Sequence, residues 1–116
     1  MKIKDGVILA GLQLEMRPAL IIADRVWKTN GKELVITSAL DGLHSAGSYH
    51  YYGFAIDGRT RYFDELTKRK VFKDLITELR AVSPHFDVLL HKTHMHIEWD
   101  VRKAIKAGDY RQVVTW

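Results

Sequence analysis

The spacing of apolar residues changes period several times along the chain, and each change marks an element. Ala19, Leu20, Ile22, Ala23, Val26 and Trp27 recur at steps of three and four. Pro18 suits a first helical turn and Asn30-Gly31 supplies a stop, so the pattern predicts a helix over 17–29. Leu34-Val35-Ile36-Thr37 is rich in β-branched residues and runs into a polar, glycine-bearing stretch from Ser38 to Ser48, which reads as a strand followed by a loop. Phe54-Ala55-Ile56-Asp57 has strand character and ends at Gly58. Between Asp64 and Val82, the residues Leu66, Val71, Phe72, Leu75, Ile76, Leu79 and Val82 form a helical stripe with Lys and Arg opposite, and Pro84 ends it. Phe86 to Leu90 and Met95 to Trp99 read as two more strands. Arg102 to Ala107 reads as a short helix stopped by Gly108, with an apolar tail to Trp116. Residues 3 to 14 alternate imperfectly around Gly6 and Gly11, as a short strand or an irregular lead-in would.

Two main helices interspersed with three or four short strands predict an α+β fold, a small antiparallel sheet covered on one side. The alternative is a split βαβ sandwich. In either case a site would lie on the sheet's open face. At 116 residues, without repeats, low-complexity segments or a linker, residues 1–116 make one domain.

Composition narrows the chemistry. There are no cysteines, which removes disulfides, thiolate metal sites and cysteine nucleophiles together, so any metal must be held by His and carboxylate. Apolar runs fall far short of the roughly 20 residues needed to span a bilayer. The start, MKIKDGVILAGLQLEMR, is interrupted by Asp5, Gln13 and Glu15 and lacks the apolar region of a signal peptide. The 18 Lys and Arg against 14 Asp and Glu leave a charge of +4, a modest excess that suits an anionic polymer, either nucleic acid or the acidic bacterial cell wall. A small basic nucleic-acid-binding domain, retaining DNA or RNA in a salt-sensitive way without metal, is the third-ranked reading.

The chemistry concentrates in SYHYYGFAID, residues 48–57, and in His94-Met95-His96. Zinc sites without cysteine combine neutral imidazoles with a carboxylate and leave a fourth position to water when they are catalytic. His50, Asp57 and His96 supply such a set. The separation of seven between His50 and Asp57 does not match a helical pair of histidines at a step of four, and suits a loop histidine with a strand aspartate. Gly53 and Ala55 leave room there for close backbone approach. In a strand, His94 and His96 share a face and both can point at one ion or its water. Glu98 has the same parity and is placed to orient an imidazole through its remaining ring nitrogen. His91 is out of step unless Lys92-Thr93 bends the chain.

Ser48-x-His50-x-x-Gly53-x-Ala55-x-Asp57, followed by His94-x-His96, closely resembles the paired motif of the zinc peptidases that include D-alanyl-D-alanine carboxypeptidases, VanX-type dipeptidases and phage L-alanyl-D-glutamate endopeptidases. Thr37 to Ser45, TSALDGLHS, looks like the compact phage-encoded members, and the likeness covers roughly residues 35 to 99. It implies a Hedgehog/DD-peptidase-like fold and a zinc ion, Zn2+, held by His50, Asp57 and His96 with a fourth position for water. It also implies bacterial peptidoglycan stem peptides as the partner rather than nucleic acid or membrane, in a chain expected to be monomeric. Such a peptidase would be cytoplasmic until released by a phage lysis partner, or would be carried on a virion.

Two departures from the pattern shape the expectation. The acidic general base of many relatives falls here on Thr93, so the role passes to His94, as in another branch of the family, with His91 near the site. Upstream, the arginine with which carboxypeptidase-type relatives bind a substrate carboxylate is replaced by Asp41, which favours an endopeptidase over a D-alanyl-D-alanine carboxypeptidase. A non-catalytic zinc-binding module that has lost its base is the remaining alternative. Arg59 and Ser48 are the candidate substrate contacts, and His44 is a candidate for the cleft wall. Tyr49, Tyr51 and Tyr52 are candidates for stacking on substrate or packing on the sheet, and Lys68-Arg69-Lys70 reads as a solvated helix face.

Overall fold

The computed structural model describes residues 1–41 and 48–110 and shows an α+β fold. Its five strands are β1 (Lys2–Ile3), β2 (Val35–Ser38), β3 (Ala55–Arg59), β4 (Phe86–Leu90) and β5 (His94–Trp99). Three α-helices accompany them: α1 (Arg17–Thr29), α2 (Glu65–Val82) and α3 (Val101–Ala107). His44 and the tail beyond Tyr110 lie outside the described residues, as does the side chain of Tyr51.

The sheet order is β1-β2-β3-β5-β4. Four strands are antiparallel to their neighbours, but β1 joins β2 in parallel, so the sheet is mixed rather than wholly antiparallel. A parallel pair needs a crossover, and α1 supplies it. β5 fills the gap between β3 and β4, which α2 connects, so half of the molecule has the split βαβ arrangement of the second reading.

Alternation along β5 decides which face is core: Met95, Ile97 and Trp99 are buried, whereas His94, His96 and Glu98 are partly exposed. Ile56, Ile36, Phe86 and Val88 join the buried set, and α1 and α2 close over it with Ala19, Ala23, Trp27, Val71, Leu75 and Leu79. Gly58 does not end its strand. A Cβ there would lie 3.0 Å from Leu34 and 3.2 Å from Trp27, so glycine lets the indole pack directly under β3. The indole nitrogen of Trp27 donates to the carbonyl of Arg59 at 2.8 Å.

α2 departs from the predicted stripe at two places. Leu66 is 81% exposed, while Lys68 is buried, its Nζ donating to Glu65 and to the carbonyl of Lys92 at 3.3 Å each. Lys68 stands three residues before Val71 and seven before Leu75, so it faces inward and Leu66 does not. The basic run is therefore divided between faces, with the aliphatic stem of Lys68 packed and its charged end tied to the β4–β5 turn.

Candidate metal centre

Two cross-strand pairs build the sheet side of the site. Asp57 stands opposite His96, and Arg59 opposite His94, in the β3–β5 ladder. Strand parity puts these four residues and Glu98 on the face that α1 and α2 leave uncovered. His50 arrives from a separate element, the 3-10 turn Tyr49–Tyr52, rather than from an irregular loop.

That turn is held at both ends. Ser48 caps it, its Oγ accepting from the His50 amide at 3.3 Å. Gly53 closes it in the left-handed region at φ 77°, where a Cβ would come within 2.4 Å of the Gly11 carbonyl oxygen. The room predicted at Gly53 is thus a crossing of two backbone segments, fixed by the Gln13 amide donating to the Gly53 carbonyl at 3.0 Å. Tyr49 is tied down as well. Its hydroxyl donates to Asp100 Oδ1 at 2.7 Å, and Asp100 in turn caps α3 through the amide of Lys103. Burial, and then this hydrogen bond, push the Tyr49 phenol up to about 12. Tyr49 packs partly buried against the core, while Tyr52 is exposed.

The three expected ligands converge. His50 Nε2 lies 3.2 Å from Asp57 Oδ1 and 3.1 Å from His96 Nδ1, and His96 Nδ1 lies 3.0 Å from Asp57 Oδ1. His50 and Asp57 are buried and His96 is nearly so. The outer ring nitrogens are both engaged by pure acceptors: His50 Nδ1 by the Ala39 carbonyl at 2.7 Å, and His96 Nε2 by Glu98 Oε1 at 2.8 Å. An acceptor on the outer nitrogen holds the proton there and turns the inner lone pair toward the centre. Three lone-pair atoms then face one another with no proton between them, an arrangement that a cation relieves. A tetrahedral ion with bonds of about 2.0–2.1 Å has ligand edges of roughly 3.3–3.4 Å, so the triangle is close to the size required. His50, Asp57 and His96 are thus a group that could hold a metal ion. Glu98 takes the outer position expected of it.

Ala39, which sequence reasoning missed, is reached through Asp41. The Asp41 carboxylate accepts from the amides of Ile8 and Ala39, at 3.1 and 2.9 Å, fixing the segment whose carbonyl holds His50. A shift of register between Ile36 and Ser38 lies just before it, a bulge of the kind that re-aims a strand next to a site. No side-chain pattern marks a backbone carbonyl as an outer ligand.

His94 stands at the rim, its Nε2 3.8 Å from Asp57 Oδ2, the oxygen turned away from the triangle. The tight β4–β5 turn, in which the His91 amide donates to the His94 carbonyl, lays the His91 ring against that of His94 with centroids 4.7 Å apart. Thr93 Oγ1 lies 3.2 Å from His94 Nδ1. His91 and Thr93 therefore fix the orientation of His94. Desolvation, partly opposed by Asp57 and reinforced by the neighbouring histidines, lowers the His94 pKa below its ordinary 6.5, which leaves a neutral imidazole at pH 7.

Without metal, a proton must take the cation's place. Burial disfavours the charged form of His96, but Asp57 and Glu98 outweigh it and raise its pKa to about 9. Burial likewise works against ionised Asp57, yet hydrogen bonds from His50 and His96 hold it well below the usual carboxylate range. Because the folded pKa of His96 lies above the unfolded 6.5, its stabilisation is complete below pH 6.5 and lost as pH rises through about 9. In chelator, the free energy of unfolding should fall by on the order of 2–3 kcal/mol across that window. Saturating metal should flatten the dependence, because the metal replaces the proton. Urea titrations at several pH values check this, and a flat profile in chelator would refute the account of the metal-free triangle.

Compared with known proteins, the chain matches no family model, no curated protein and no solved structure. What the fold and site define is an α+β protein in which a 3-10 turn and two strands bring together a His-Asp-His group. No described helix is long and apolar enough to cross a membrane.

Proposed function

We propose that this chain is a zinc-dependent peptidase that hydrolyses a peptide bond in bacterial peptidoglycan, acting within the stem peptide rather than as a D-alanyl-D-alanine carboxypeptidase. The observation that carries the reading is the triangle of His50, Asp57 and His96, bordered by a histidine, His94, that is not one of its corners. The Ser48-to-Asp57 and His94-x-His96 motifs add the substrate class. Zinc, when bound, supplies Lewis acidity to the scissile carbonyl and makes an attacking water more acidic.

The chain's own residues do the rest. His94, neutral and oriented by Thr93 and His91, accepts a proton from the attacking water at Nε2 and returns it to the departing amine. A carbon–oxygen bond forms, the carbon–nitrogen bond breaks, and one water is consumed. Thr93 cannot serve as the base, and its hydroxyl contributes orientation instead. His50 and Asp57, by their burial, would keep water from one side of an ion held between them. Ser48 acts through His50 by capping its turn, and it also borders a small cleft with Tyr49, His96, Glu98 and Arg102. Access to the substrate would come by release from the cytoplasm at lysis, or by carriage on a virion.

Mass spectrometry of fragments released from purified peptidoglycan tests the reading. Zinc-loaded protein should release new amino termini from stem peptides, chelator should abolish release, and His94→Ala should lower kcat by roughly 10²–10⁴-fold while one zinc per chain remains. Stoichiometric zinc without turnover would leave a non-catalytic zinc module. Fragments that had lost only a terminal D-alanine would make the chain a carboxypeptidase.

A further inference from the structure

Beside the triangle, on the same face of the sheet, a cleft of about 140 Å³ is lined by Lys4, Thr37, Arg59, Arg61, Thr93 and His94. Its three cations come from distant parts of the chain. Lys4 follows β1, where its amide donates to the Ile36 carbonyl. Arg59 ends β3, and Arg61 lies just beyond. Among the described residues, none of the three side chains has an ion pair or hydrogen bond, whereas Lys2, Arg25, Lys28, Lys68, Lys70 and Arg80 all have acidic partners. Three like charges gathered in one cleft repel one another unless an anion or solvent compensates them. Two guanidinium groups suit a planar anion that accepts several hydrogen bonds.

The position sets the ligand's relation to the hydrolysed bond. The Arg59–His94 pair lies two residues along the ladder from Asp57–His96, a separation of about 6.6–6.8 Å at the usual strand rise. That distance corresponds to one or two residues of a bound peptide, at about 3.8 Å between successive Cα atoms. We propose that the Lys4–Arg59–Arg61 cleft is a carboxylate-binding subsite, which takes a free carboxylate of the substrate peptide one to two residues from the bond hydrolysed and so selects acidic peptides. This rests on the peptidase reading for its substrate, but not for its ligand chemistry.

The test uses the zinc-loaded chain with N-acetylated stem peptides whose carboxylates are free or converted to amides. In the wild type the acid form should have a KM at least about tenfold lower than the amide form, the scale of a charge-assisted contact. Arg59→Gln with Arg61→Gln should remove that preference, raising the KM of the acid form to that of the amide form, while one zinc per chain remains bound. Independently of cleavage, the guanidinium NMR resonances of Arg59 and Arg61 should shift with the acid peptide and stay still with the amide. Cleavage with equal KM for both forms, or a preference that survives in the double variant, overturns the subsite and leaves the peptidase reading intact. Acid-specific shifts without cleavage would uphold the subsite and remove the peptidase reading, whereas neither shifts nor cleavage would remove both.

Discussion

His96→Ala is expected to abolish stoichiometric zinc binding at micromolar concentrations and, with it, peptidoglycan hydrolysis. His96 supplies one corner of the triangle, its Nδ1 lying 3.0 Å from Asp57 Oδ1 and 3.1 Å from His50 Nε2. Apparent binding energies of structural zinc sites run to about 10–16 kcal/mol, so one donor in three carries on the order of 3–5 kcal/mol, or two to four decades of affinity. The substitution also strands Glu98, whose Oε1 accepts from His96 Nε2. His50→Ala should do the same from the other side, because the Ala39 carbonyl then loses its donor. Both variants should keep the fold in chelator, where no metal energy is at stake. Calorimetric zinc titration and thermal melts with and without zinc measure the effect: zinc should raise the wild-type Tm and leave the variants unmoved. Wild-type zinc affinity in either variant would show that the ion, if bound, sits elsewhere.

Gly53→Ala should be the most damaging substitution of a residue that touches no ligand. Its φ of 77° is strained for any residue with a Cβ, at about 1–2 kcal/mol. The Cβ would also overlap the Gly11 carbonyl oxygen, 2.4 Å away, and crowd the Gln13 amide at 3.3 Å. Neither obstacle is a flexible side chain, so the two backbones must part, and a total loss of about 2–4 kcal/mol is expected. The turn that moves carries His50, and zinc affinity should fall at least about tenfold with it. Gly31→Ala separates the two contributions. It has φ 85° but nothing within 4 Å of the new Cβ, so it should incur the backbone strain alone and leave zinc affinity unchanged. Urea denaturation in chelator and zinc titration of both variants measure this. Equal losses in the two would mean that the crossing at Gly11 does not hold the turn.

Asp57, His96 and the outer partner Glu98 were legible because they lie on strands, whose side-chain direction follows from parity, whereas His50 was legible only as part of its motif. His94, His96 and Glu98 alternate with buried Met95, Ile97 and Trp99, and that period of two is written in the residues themselves. Helix α1 was equally legible, from the apolar steps between Ala19 and Trp27 and the Asn30-Gly31 stop. Pattern failed where a neighbour far along the chain decides. Lys68 shares the inward face of Val71 and Leu75, but only the Lys92 carbonyl gives its charged end a partner there, and Gly58 continues its strand because Trp27 fills the space of a Cβ. His91, out of step by parity, reaches His94 only through the turn between β4 and β5.

By itself, the sequence determined the set of donors: cysteine-free, with histidine and aspartate at spacings that a loop and two strands can bring together. Composition fixes the types of donor, and strand periodicity, which depends only on backbone geometry, fixes the common face of His94, His96 and Glu98. Tertiary structure alone decided which atoms face inward and what surrounds them. The Ala39 carbonyl, placed by Asp41, and the Glu98 carboxylate select the ring nitrogens that converge. The parallel pairing of β1 brings Lys4 to the cleft of Arg59 and Arg61. Such contacts join residues tens of positions apart, and no local pattern encodes them, because their energy arises only once the sheet has closed.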